Sequence, residues 1–131
     1  MRKERDLRVP NEAAVGYLTV RSRRADDALV VYIEGYLNSL MGEEVERVVR
    51  ESLDAGVKKI LLNFEGTRLI NSIGISIIID VVEKIMERNG SLAFCALSRI
   101  NRELFQMTGV ARYVQAFERE EEALGYFGQS A

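Results

Sequence analysis

The chain has no histidine. That absence removes imidazole from three roles at once: the base of a nucleophile–histidine–acid triad, a metal ligand, and a proton switch near neutral pH. A single cysteine, Cys95, excludes an intramolecular disulfide and a cysteine-rich zinc site, and it suits a reducing compartment. Tryptophan is missing, and proline occurs once, at Pro10. Charge of neither sign dominates: 18 Lys and Arg stand against 20 Asp and Glu, a net charge of −2. Domains that bind nucleic acid usually carry a basic excess, so direct nucleic-acid binding is not expected. No apolar stretch follows the charged residues at the start, so no secretory signal is read there. The longest apolar region, Ile73 to Met86, is interrupted by Gly74, Ser76, Asp80, Glu83 and Lys84. It is too short and too charged to cross a bilayer, and a cytoplasmic protein without membrane attachment is the expectation.

What is present is the composition of a folded domain. The 131 residues are 47% apolar and 29% charged. A chain of this size forms one domain and buries roughly 65–70% of its unfolded surface. Residues 1–16 lack periodicity and are expected as a flexible arm, leaving 17–131 as the domain. Tyr17 to Arg21 alternates with period two, and Ala28 to Ile33 is apolar throughout, as a strand covered on both faces would be. The polar turn Arg23 to Asp27 between them makes an antiparallel hairpin, and Gly35 is expected to end its second strand. Asn38 or Ser39 caps a helix whose Val45, Val48, Val49 and Leu53 follow the 3.6 period, and Gly56 stops it.

Lys59 to Phe64 reads as a third strand, and Glu65 to Gly74 as a loop leading into a second helix. That helix carries Ile75, Ile78, Ile79, Val82, Ile85 and Met86. Its β-branched residues lower helix propensity, so strand competes for Ile75 to Ile79. The wet face of Asp80, Glu83, Lys84, Glu87 and Arg88 favours helix. Ser91 to Leu97 is a fourth strand. Ser98 caps a helix from Arg99 to Thr108, with Ile100, Leu104 and Phe105 facing inward and Gly109 closing it. Tyr113 to Phe117 reads as a short edge strand, and Glu118 to Glu122 as the solvated acidic start of a last helix holding Leu124 and Phe127. Strands alternating with helices predict an α/β fold: a mixed, mostly parallel sheet of four to five strands with about four helices and right-handed crossovers.

Asn71-Ser72-Ile73-Gly74 is the one polar constellation set in an apolar frame, between Ile70 and Ile75. Ser72 is expected at the start of the second helix, its oxygen accepting from a free N–H of the first turn. A serine there usually serves only as a cap. If that oxygen were phosphorylated, the phosphate would meet the same N–H groups and the positive helix end. Gly74 leaves the first turn without one side chain, so that a partner can approach. Cys95 reads as a small buried hydrophobe rather than a reactive thiol. Arg21, Arg23 and Arg24 read as a solvated turn. There is no Walker loop, no G-x-S-x-G and no dinucleotide fingerprint. No catalytic residue, metal ligand or cofactor site is expected.

The stretch from Leu62 through Asn71-Ser72-Ile73-Gly74 to Ile75 resembles the signature of the STAS family, which includes bacterial anti-sigma factor antagonists and cytoplasmic domains of sulfate transporters. Ser91 to Gly109 resembles the family's fourth strand and third helix, and Gly35-Tyr36-Leu37-Asn38 stands where Gly-Glu-Leu-Asp is usual. The resemblance implies an anti-sigma factor antagonist that acts by partner switching and is not itself an enzyme. In the family the serine is phosphorylated by an anti-sigma factor serine kinase, which supplies ATP and Mg²⁺, and a PP2C-type phosphatase restores it. The phosphoacceptor position here is Ser72, and the implied partner-binding residues are Asn38, Asn71, Ser72, Ile73 and Gly74. Asn71 and Asn38 stand where acidic residues are usual; both remove negative charge and keep size and hydrogen bonding. The alternative is a STAS interaction or sensor module that is not phosphorylated and binds a protein, a small anion or a nucleotide.

Overall fold

The computed structural model describes residues 18–37 and 39–129. The expected arm, residues 1–16, and Asn38 lie outside the described residues. The described residues open with a hairpin of β1 (Leu18–Ala25) and β2 (Ala28–Leu37), paired antiparallel from Leu18 opposite Gly35 to Ala25 opposite Ala28. The expected polar turn contracts to Asp26 and Asp27, with Asp26 at φ 56°. A two-residue hairpin loop demands such a left-handed residue, and aspartate tolerates it. Arg21 to Arg24 continue the strand instead.

β2 is apolar on both faces because it lies inside the sheet. The first half of its inner edge pairs parallel with β3 (Lys59–Asn63) and the second half with β4 (Thr67–Ile70). Gly35 therefore does not end the strand. It sits at a register shift with φ 113°, a conformation that favours glycine, and its N–H donates to the Gly66 carbonyl at 2.9 Å. Then follow β5 (Ser91–Cys95) beside β3 and β6 (Gln115–Phe117) beside β5, both parallel. The sheet order is β1-β2-β3-β5-β6 with β4 beside β2, six strands among the described residues. The mixed, mostly parallel α/β sheet is as expected. The additional strand, β4, comes from the segment read as a loop.

Four α-helices are described: α1 (Ser39–Asp54), α2 (Ser72–Glu87), α3 (Arg99–Thr108) and α4 (Glu120–Gln129). Side chains alternate across the sheet. Leu29, Val31, Ile33, Ile60, Leu62 and Phe94 face one core with α1, α2 and α3. Ala28, Val30, Leu61, Ala93 and Cys95 face a smaller core with Ala123 and Phe127 of α4. Ile75 to Ile79 is helix, and burial of Ile75, Ile78, Val81, Val82 and Ile85 against the sheet outweighs their weak intrinsic propensity.

α3 begins and ends as expected, with Ser98 Oγ accepting from Asn101 N–H and Gly109 closing it at φ 87°. Its rotation differs. Phe105 packs against Phe64 and Phe94, ring centroids 5.6 and 5.2 Å away, and this anchor fixes the inward face. Ile100 lies about 140° round the helix from Phe105 and faces solvent, 66% exposed. Asn101 takes the inward position instead, 1% exposed, its amide unpaired among the described residues.

Candidate functional site

The site is assembled by the segment from β3 to α2. Beyond β3, the Thr67 N–H donates to the Phe64 carbonyl at 2.9 Å, and the buried Thr67 hydroxyl donates to the Ile33 carbonyl at 2.6 Å. These bonds hold β4 against the far half of β2. The Asn71 N–H then reaches the Leu37 carbonyl at 3.3 Å, so the start of α2 is tied to the end of β2.

The helix cap is Asn71, not Ser72. Asn71 has extended backbone (φ −91°, ψ −178°), and its Oδ1 accepts from Gly74 N–H at 2.8 Å. Its carbonyl accepts from Ile75 N–H at 2.9 Å. Asparagine is as strong a cap as serine, and the chain turns into the helix one residue earlier than expected. Ser72 is thereby the first helical residue. Its side chain is exposed, and its hydroxyl makes no hydrogen bond among the described residues.

Two large apolar side chains flank this hydroxyl in sequence and stay exposed: Ile73 at 47% and Leu69 at 54%. Gly74 has a different role from the expected one. It is buried, and a Cβ there would lie 2.4 Å from the Leu37 carbonyl oxygen and 3.0 Å from Ile70 Cγ2. The missing side chain lets α2 seat on the end of β2; it does not open space for a visitor. The structure thus brings Asn71, Ser72 and Ile73 to the surface at the positive end of α2, with Gly74 beneath them. Ile73 and Ile77 also line a groove of about 990 Å³ between α2 and α1, where Glu43, Arg47, Asp80 and Lys84 supply charge of both signs.

A second polar cluster was not anticipated. Glu120, expected in a solvated acidic run, turns inward as the first residue of α4. Its carboxylate accepts from the Tyr32 hydroxyl at 2.8 Å, from Asn63 Nδ2 at 3.0 Å and from the Arg23 guanidinium. Arg23 Nε also donates to the Tyr32 oxygen at 2.9 Å, and Arg21 stacks over the Tyr32 ring at 4.1 Å. These two arginines are therefore engaged, not a solvated turn. Burial pushes the Glu120 carboxyl upward, but the bonds from Tyr32, Arg23 and Asn63 outweigh it and hold the group below its ordinary value. A signal for this cluster existed. Tyr32 and Asn63 carry the first polar groups after the apolar runs 28–31 and 60–62, and they are register partners.

Cys95 is fully buried, and burial pushes its thiol up to about 12. Among the described residues no group of three or more Cys, Asp or Glu side chains could hold a metal ion. No described helix is long and apolar enough to cross a membrane.

Comparison with known proteins adds three findings. The family described as STAS domain matches residues 19–123. The Bordetella bronchiseptica protein BtrV, named as an anti-sigma factor antagonist, is 26% identical over 86 residues, 66% of this chain and 74% of BtrV. Among solved structures, an anti-sigma factor antagonist from Thermotoga maritima superposes with a TM-score of 0.76 at 19% identity, covering 82% of this chain and 92% of its own. SpoIIAA of Bacillus, solved in its phosphorylated form, superposes with a TM-score of 0.68 at 19% identity, covering 83% of this chain and 99% of its own. At these identities the solved structures establish the fold.

Proposed function

Since the chain belongs to the STAS domain family, we propose that it is an anti-sigma factor antagonist switched by phosphorylation of Ser72. It binds an anti-sigma factor serine kinase when unmodified and releases it when phosphorylated, and a PP2C-type phosphatase resets it. The chain is substrate and ligand in this cycle; ATP and Mg²⁺ belong to the kinase. The observation that carries the reading is the Ser72 hydroxyl: exposed, unbonded among the described residues, and relieved of capping by Asn71. Exposed Ile73 and Leu69 offer apolar anchors beside it. Asn71 and Ile73 contribute to the contact surface, Gly74 shapes it from below, and Asn38 is proposed as a further contact.

The switch is electrostatic. A phosphate adds about −1.5 to −2 charges to a neutral side chain. Facing a partner carboxylate at about 4 Å, each unit charge costs up to about 4 kcal/mol at an effective dielectric near 20. That is close to a thousandfold in affinity. The modified group is already at the surface, so no rearrangement of the domain is required.

Incubation with candidate serine kinases and ATP, followed by mass spectrometry, should place one phosphate on Ser72. Ser72→Asp should weaken kinase binding at least about tenfold, while Ser72→Ala still binds. Absence of label on Ser72 with every cognate kinase would refute the switch. Asn71 in place of the usual acidic residue favours one second reading, a constitutive STAS interaction module without phosphorylation. Equal partner affinity for wild type and Ser72→Asp would favour that module. Thermal shift with nucleotides and small anions checks whether it also takes a small ligand.

A further inference from the structure

We infer that α4 is a detachable cover, leaving the sheet as one unit with Glu120 as its catch while the rest of the domain stays folded. The two layers that clothe the sheet are unequal. On one side three helices share a continuous core anchored by Phe64, Phe94 and Phe105. On the other, α4 buries Ala123 and Phe127 over Ala28, Val30, Leu61, Ala93 and Cys95. Among the described residues this core holds far fewer buried apolar side chains than the other, and α4 supplies two of them, with Leu124 and Tyr126 only partly buried beside them, so this contact is the weaker one.

The helix itself is also weak. Gly125 and Gly128 fall within its 10 residues. Packing does not require either, since a Cβ at each would meet nothing within 4 Å. Each glycine disfavours the helical state by roughly four- to fivefold relative to alanine.

What α4 lacks in buried area is supplied at its N-terminal end by polar bonds. The Glu120 carboxylate gathers donors from three strands: Arg23 on β1, Tyr32 on β2 and Asn63 on β3. Because the three bonds share one carboxylate, they are lost together when it leaves. Opening bares an apolar strip along β2, β3 and β5 on the sheet face opposite α2. The device is therefore separate from the Ser72 surface and does not depend on the phosphorylation reading.

Cys95 reports the opening, because the only thiol of the chain lies in the core that α4 closes and is fully buried. The full-length protein is reacted with an aromatic disulfide at mildly alkaline pH over a range of urea below the unfolding transition. Helical circular dichroism follows global unfolding in parallel. Labelling that rises with urea much less steeply than global unfolding is the expected result, since local opening exposes less surface. Glu120→Gln should accelerate labelling without urea roughly tenfold or more. Gly125→Ala should slow it about fourfold. Labelling of the wild type with the full urea slope of global unfolding overturns the inference, as do unchanged rates in both variants. The wild-type slope and Gly125→Ala decide the question even if Glu120→Gln does not fold.

Discussion

Asn71 and Ser72, adjacent in the chain, divide two tasks that a single serine could have performed. Asn71 uses its side-chain oxygen to satisfy the Gly74 N–H, and Ser72 keeps its hydroxyl in solvent. A hydroxyl committed to a cap would have to break that bond before meeting a kinase. Asn71→Ala should therefore lower stability by about 1 kcal/mol, read from urea denaturation. Asn71→Asp keeps the accepting oxygen and adds negative charge at the positive helix end, so it should match or slightly exceed wild type.

The packing of α2 on the sheet depends on the absence of a side chain at Gly74. A methyl group there would sit 2.4 Å from the Leu37 carbonyl, a backbone atom that cannot yield cheaply. Gly74→Ala should cost about 1–3 kcal/mol, seen as a lower urea midpoint. Gly125→Ala in α4, where nothing crowds the new atom, should raise it. On the opposite face of the sheet, Glu120 makes α4 sensitive to acid. Its carboxyl is held below the ordinary 4.5 in the folded state. The stability it contributes is thus fully present above the ordinary value and is lost as pH falls through the lower, folded value. Neither Arg23 nor Tyr32 loses its proton in that window, because both are held above already high ordinary values. Glu120→Gln should flatten the pH dependence of unfolding free energy below about pH 4.5 relative to wild type, measured by urea titrations at successive pH values.

At the scale of the molecule, the two regions of interest lie apart. The Ser72 surface belongs to α2, on the sheet face covered by α1, α2 and α3, and α4 covers the other. A charge added at Ser72 should consequently alter the surface and leave the core alone. Ser72→Asp should fall within about 0.5 kcal/mol of wild type in unfolding free energy, with unchanged helical circular dichroism. A loss above about 2 kcal/mol would show that the hydroxyl is structural and would remove the basis for reading it as a free acceptor.

Much of this architecture is written locally. The order of strands and helices, the parallel sheet, the cap at Ser98, the stop at Gly109 and the burial of Cys95 all follow from residues adjacent or one turn apart, where period and propensity act. Four features do not. β4 is four residues with no usable period, and it becomes a strand because the register shift after Gly35 leaves an edge of β2 for it to pair with. The rotation of α3 is set by Phe105 against Phe64 and Phe94, which turns Ile100 outward. The cap moved from Ser72 to Asn71 because the end of β2 holds the Asn71 backbone extended. Glu120 turned inward because residues as many as 97 positions away converge on it. In each case the deciding partner is distant along the chain, and only the folded backbone brings it within bonding range.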